Sequence, residues 1–201
     1  MKNWYDLEFK LDGQTVTKFI RDDLDYFKYF PEKLGLWSDG ERRVWGIQYV
    51  KSSEILTPEF IEALHQAGVK DDHNEKGMIA FFRGRPKSSM HIHVDGGSTS
   101  AINVSWNAPN SRMLWWKPKL GERPFGKASI TGRFAPSYKE EQCNYLDSKI
   151  ILQPTLVRTD IPHSVIVPDD TPRWGISIRN QARPWPTWAQ AVEQHRHIIK
   201  E

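Results

Sequence analysis

The chain is short of cysteine: 201 residues contain one, Cys143. A single thiol excludes an internal disulfide and fits a reducing, cytoplasmic interior. No apolar run approaches the roughly 20 residues needed to cross a bilayer, so no membrane span is expected. The opening Met1-Lys2-Asn3-Trp4-Tyr5-Asp6 lacks the apolar centre of a signal peptide. Internal repeats and low-complexity linkers are absent too, which points to one domain over residues 1–201. Acidic residues are scarce in one stretch only. Residues 81–139 hold 10 Lys+Arg against two acids, Asp95 and Glu122. By contrast, residues 1–80 hold 11 basic against 15 acidic, and residues 140–201 hold 7 against 8. The basic stretch favours an anionic partner, a carboxylate or phosphate. Nucleic acid is a weaker alternative, and a solvated basic rim accounts for the charge equally well.

What is present reads as a folded, mainly β protein with flanking helices. Nine Trp and a hydrophobic fraction of 38% argue against disorder. Val16, Phe19, Ile20, Leu24, Phe27 and Phe30 fall at helical spacing, ended by Pro31 and Gly35. Arg43 to Val50 alternates like a strand. Thr57-Pro58-Glu59 opens a second helix, with Phe60, Ile61 and Leu64 as its apolar stripe and Gly68 as its stop. Residues 1–76 thus form a brace. Residues 77–180 carry short strands with turn formers between them: Met78–Phe82, Met90–Val94, Ala101–Trp106, Met113–Trp116, Ala128–Phe134, Ile150–Leu152, Thr155–Arg158, Ser164–Val167 and Trp174–Ile178. Such spacing without intervening helices suggests antiparallel pairing in a sandwich or barrel. Residues 181–201 close the chain with a helix from Thr187, which has capping-box character, to about Ile199.

The chemistry concentrates in Met90-His91-Ile92-His93-Val94-Asp95-Gly96-Gly97. Strand residues two apart share a face, so His93 and Asp95 aim an imidazole nitrogen and a carboxylate at one point. The glycine pair lets the chain turn away afterwards. Two His and one carboxylate on one side of a metal, with the other positions open, suit non-haem Fe(II) oxygen chemistry. The best distant His for the third place is His163, at the head of an apolar strand. Ten residues later comes Arg173, opening Arg173-Trp174-Gly175-Ile176-Ser177-Ile178-Arg179.

This ordered set resembles the iron(II)/2-oxoglutarate-dependent dioxygenases, in the phytanoyl-CoA-dioxygenase and prolyl-hydroxylase-like branch found in small microbial and phage proteins. The resemblance covers Gly77 to Arg179, about half the chain. It implies a double-stranded β-helix, a jelly-roll or cupin-like barrel with the metal near its mouth. It further implies Fe(II) on His93, Asp95 and His163, and 2-oxoglutarate as cosubstrate with its distal carboxylate on Arg173. The activity it implies is hydroxylation of an unactivated C–H bond on a small molecule or a side chain. Asn103 and Ser177 are candidate contacts to the cosubstrate.

Several alternatives stay open beside this reading. His91 shares a strand face with His93, and a His91/His93 pair would suit a cupin-like binding or isomerase module without 2-oxoglutarate turnover. The stretch Val94 to Ser100, however, contains no Glu of the kind cupins place after His-x-His. Arg179 is the alternative to Arg173. Trp106, Trp115 and Trp116 read as core before pocket, since large aromatics on strands are usually buried. His65 reads as a surface or packing residue, and His73 in a polar loop and His195 and His197 on the final helix are poor ligand candidates.

Overall fold

The computed structural model describes residues 2–8, 18, 45–51, 57–66, 78–96, 98–128, 134–179 and 184–201. Of the helix expected over Val16 to Phe30 only residue 18 is described, and its expected ends Pro31 and Gly35, the Gly68 stop, His73 and Gly97 lie outside these residues.

Thirteen strands run in chain order among the described residues: β1 Trp4–Asp6, β2 Trp45–Lys51, β3 Met78–Gly84, β4 Ser88–Ser89, β5 Ile92–His93, β6 Ser100–Trp106, β7 Arg112–Pro118, β8 Phe125–Ala128, β9 Phe134–Tyr138, β10 Cys143–Ile150, β11 Thr155–Arg158, β12 His163–Val167 and β13 Arg173–Arg179. Two helices flank them, α1 Pro58–Gln66 and α2 Trp188–Gln194. One sheet has the order β1-β11-β6-β13-β3-β2, and the other has β10-β7-β12-β5-β9-β8, with β4 also on β12. All the pairings are antiparallel. From β3 the chain passes to the second sheet at β5, back at β6 and across again at β7. It returns at β11, crosses to β12 and ends the barrel at β13. Strands close in sequence therefore lie in facing sheets, and strands far apart pair as neighbours. That is the double-stranded β-helix.

Side-chain parity sorts the two cores. On β6, Ile102, Val104 and Trp106 face outward, and on β13 so do Trp174, Ile176 and Ile178. They pack with Phe81, Leu156, Phe60 of α1 and Trp188 and Ala191 of α2. Each large side chain fully buried there contributes about 1.5–3 kcal/mol. The alternate residues face inward, where Met90, Met113, Trp115, Val157, Val165 and Val167 fill the barrel. Trp115 is fully enclosed and donates its Nε1–H to Arg158 O at 2.9 Å, which removes the cost of a buried indole N–H.

Both helix starts follow their capping residues. Phe60 N–H donates to Thr57 Oγ1, and Thr187 forms a full capping box with Gln190. The Trp188 indole donates to Lys2 O and Lys200 N–H to Asp6 O, tying α2 and the C-terminus to β1. No helix among the described residues is long and apolar enough to cross a membrane.

Some boundaries differ from those expected. Met90–Val94 yields only a two-residue strand, because Met90 N–H bonds Val165 O and Val94 N–H bonds Pro136 O outside regular pairing. Instead of one strand over Ala128–Phe134, β8 ends and β9 begins at those two residues and the strands pair with each other, with 129–133 outside the described residues. Pro136, which discourages a strand reading, sits within β9 opposite Gly126. The strand expected over Ile150–Leu152 is instead the end of β10. A register shift between Tyr145 and Asp147, and the exposure of this edge strand, hide its alternation. The final helix stops at Gln194 and continues as a 3₁₀ turn over Arg196–Ile198. Strand β1 was not anticipated from the sequence.

Candidate metal centre

His93 closes β5 and His163 opens β12, and the two are register partners across that pair of strands. Their rings lie 4.5 Å apart between centroids. Each imidazole is fixed from behind by a backbone carbonyl two residues earlier. His93 Nδ1 is 3.0 Å from His91 O, and His163 Nδ1 is 2.9 Å from Ile161 O. A carbonyl only accepts, so each Nδ1 carries the proton and each Nε2 presents its lone pair inward. Asp95 follows β5, with its N–H on Thr159 O at 3.1 Å. Thr159 in turn donates its own N–H to Thr99 O and its hydroxyl to Ser98 O, so it staples the two ligand-bearing loops together.

The three side chains converge. Asp95 Oδ1 is 3.6 Å from His93 Nε2 and 3.9 Å from His163 Nε2. One donor atom from each residue lies within 4.8 Å of the other two. Asp95 Oδ1 and either imidazole nitrogen reach a common ion, since two bonds of about 2.0–2.2 Å together span more than 3.6 or 3.9 Å. His93 is 6% exposed and His163 4%.

The electrostatics set the protonation states of the donors. Burial pushes the Asp95 carboxyl upward, but Arg179 and the two neighbouring imidazoles together hold it well below the usual carboxylate range. Burial and neighbouring His93 lower His163 from 6.5 to about 4, with Asp95 pulling the other way. At neutral pH the site thus offers one carboxylate and an unprotonated His163, the state a metal requires.

Behind this triad a pocket runs between the sheets. Arg173, Ser177, Arg179 and Asn103 line it beside the triad, with Phe82, Met90, Met113 and Val165 as apolar walls. Arg173 is 6% exposed, and burial lowers its guanidinium to about 10, so it stays cationic. The guanidinium lies across Gly175: a Cβ built there would be 3.3 Å from Arg173 Nη1 and 3.2 Å from Val104 O. Ser177 and Asn103 are register partners on β13 and β6. Asn103 Oδ1 is buried and makes no hydrogen bond among the described residues. The amide, whichever way it is turned, leaves a polar atom for a ligand.

The alternatives separate by position. The His91 ring stands 5.6 Å from that of His93, and it is the His91 carbonyl that serves the site. Arg179 bonds Asp95 Oδ2 at 3.0 Å. It stands six residues of strand from Arg173, about 20 Å along β13. The parity it shares with Arg173 was a signal for its inward direction; nothing in the sequence marked Thr159. Trp106 and Trp115 pack in the two cores, and Trp116 on the outer face of the second sheet donates to Ser164 Oγ. None of the three lines the pocket. Cys143 is buried beside Trp116, and burial raises its thiol. His65 and His197 are exposed, and His195 is buried at the end of α2 against Ala191 O. In the basic stretch, Arg83 covers the Trp174 ring and Lys87 pairs with Asp170.

No protein-family model matches the chain, and neither does any curated protein sequence. Solved structures similar to it include a vicilin from Solanum melongena (TM-score 0.36, 12% identity, covering 71% of this chain and 30% of that one). Others are an oxalate oxidase in complex with the substrate analogue glycolate (0.37, 9%, 90% and 76%) and a mutant Bacillus subtilis oxalate decarboxylase (0.35, 10%, 78% and 31%). The chain spans about a third of the length of the vicilins it matches. Because these scores and identities are low, the barrel assignment stands on the strand order itself.

Proposed function

We propose that this protein is a non-haem Fe(II)- and 2-oxoglutarate-dependent oxygenase that hydroxylates an unactivated C–H bond. The observation that carries the reading is one pocket with two imidazoles and a carboxylate converging at one end. The same pocket holds a buried arginine on the facing sheet. The donor set fits the ion: two nitrogens and one carboxylate suit Fe(II) with open positions. Bound together, Fe(II) and 2-oxoglutarate supply an oxidant that inserts one oxygen atom of O₂ into the substrate, the other going into succinate as CO₂ is lost.

The chain's own residues do the remaining work. His93, His163 and Asp95 hold the ion, with His91 O and Ile161 O fixing both imidazoles for ligation. Arg173 receives the distal carboxylate of the cosubstrate through its fork of parallel donors. Ser177 and Asn103 stand beside that path and offer neutral polar contacts. Phe82, Met90, Met113 and Val165 keep water from the reacting end. The substrate is a small molecule or a side chain, with an anionic group favoured by the basic stretch over residues 81–139; nucleic acid is the less favoured partner. A lone thiol suits cytoplasmic residence.

The test combines metal analysis of the purified protein with succinate release from 2-oxoglutarate under ferrous, aerobic conditions. Expected are iron uptake and turnover in the wild type, both lost in His93→Ala and Asp95→Ala while the fold survives. Full turnover in either variant defeats the ligand assignment. Metal binding without 2-oxoglutarate consumption favours a cupin-like binding or isomerase module instead.

A further inference from the structure

The two oxygens of Asp95 have different neighbours. Oδ1 faces the imidazoles of His93 and His163, while Oδ2 takes an ion pair from Arg179 Nη2 at 3.0 Å. The Arg179 and Asp95 side chains are only 13% and 9% exposed, so water screens the pair little. The arginine comes from the last residue of β13 and the carboxylate from the loop after β5, so the contact joins the facing sheets. A guanidinium offers donors in a fixed plane and holds a carboxylate's orientation as well as its charge.

We propose that Arg179 is a positioning residue that limits Asp95 to ligation through one oxygen. With Oδ2 held, only Oδ1 is presented to a divalent ion shared with His93 and His163. The coordination position that Oδ2 would otherwise take stays open for an incoming ligand. The inference rests on the metal reading above and adds to it a task separate from that of Arg173. Orientation and charge have opposite signs here. A fixed cation beside a divalent ion repels it, so a purely electrostatic Arg179 makes binding weaker and its removal tightens binding. An orienting Arg179 does the reverse, and its loss weakens binding by about 10–100-fold, as for other residues that orient ligands from behind.

Co(II), titrated without oxygen into wild type, Arg179→Met and Arg179→Lys, reads both affinity and coordination through its visible absorption. Melting of the metal-free proteins reads the structural contribution separately. Arg179→Met is expected to bind Co(II) about 10–100-fold more weakly, with an altered spectrum. Arg179→Lys restores the charge without the planar fork, so it recovers metal-free stability but not the wild-type spectrum. Binding by Arg179→Met as tight as wild type or tighter, with an unchanged spectrum, overturns the proposal. So does full recovery of affinity and spectrum in Arg179→Lys, which assigns the effect to charge alone. If Arg179→Met does not fold, the Arg179→Lys spectrum decides by the same criterion. If the wild type takes up no Co(II), the metal reading itself falls and this role with it. Wild-type binding that Asp95→Ala abolishes and Arg179→Met leaves intact removes only the second.

Discussion

Acidifying the metal-free protein is expected to destabilise it through His163. Burial and the neighbouring His93 lower this imidazole from 6.5 to about 4. The unfolded chain therefore takes up the proton first as the pH falls, and acid favours unfolding. Above about pH 7.5 the effect is absent, because neither state is protonated; it grows through the window from 6.5 down to 4. At about 1.4 kcal/mol per unit, the shift removes about 2 kcal/mol by pH 5 and about 3 kcal/mol by pH 4. That is a large part of an ordinary domain's stability of about 5–15 kcal/mol. His195, also lowered by burial, acts with the same sign. The depressed Asp95 carboxyl stabilises the fold above its ordinary value near 3.8, and that contribution is lost only at lower pH, outside the window. Urea unfolding of wild type and His163→Asn at a series of pH values isolates the effect. Asparagine keeps a donor for Ile161 O but does not titrate. The wild type should lose about 3 kcal/mol more than the variant between about pH 7.5 and pH 4. Parallel curves for the two proteins refute the claim that a neutral, enclosed imidazole occupies this position.

Two further substitutions probe the cosubstrate end and the scaffold. In Gly175→Ala the new Cβ meets a backbone oxygen of β6 at 3.2 Å and the Arg173 guanidinium at 3.3 Å. The side chain yields more easily, so 2-oxoglutarate affinity of the metal-loaded protein falls severalfold while metal affinity is kept. Calorimetric titration checks both, and melting should show an overpacking cost of about 1–3 kcal/mol. In Thr187→Ala the capping box of α2 is lost. Stability then drops by about 1 kcal/mol in denaturant titrations while metal uptake is unchanged.

How much of this was legible in the sequence depends on which physical signal each residue carried. The strands β3, β6, β7, β11, β12 and β13 were readable because apolar, β-branched or aromatic residues fill them, and β11 matches its expected bounds, Thr155–Arg158. Strand β10 was legible only at its end, since an edge strand carrying Asn144, Asp147, Ser148 and Lys149 lacks the alternation that burial enforces. The pairing of β1 with β11 joins residues about 150 positions apart, and no local pattern announces that. In the candidate site, His93, Asp95, His163 and Arg173 stood out by type and spacing, and the fold brings them around one pocket. Arg179 was visible only as a competitor of Arg173. Its ion pair with Asp95 depends on how the sheets face each other, a tertiary fact. Thr159 was illegible because it works through its backbone carbonyl, and any residue has one of those.

The spacing of ten between His163 and Arg173 follows from the barrel. His163 opens β12 at the metal end and Val167 closes it at the far end. Five connecting residues cross to the facing sheet, where Arg173 begins β13 at that same far end. The separation is therefore one strand down plus one crossing, and it places the arginine a strand length from the ion. Strand β13 then climbs back, and three steps of parity bring Arg179 beside Asp95. Both arginines face inward because they are an even number of residues apart. Direction along the strand alone separates their tasks: the one level with the ligands is within reach of Asp95, and the one at the opposite end is too far to be. The ion's donors belong to one sheet and the cationic groups to the other, so neither sheet holds the site by itself. A cosubstrate that binds the metal and Arg173 together must bridge the sandwich, and its fit depends on the packing of Met90, Met113 and Val165 that sets the distance between the sheets.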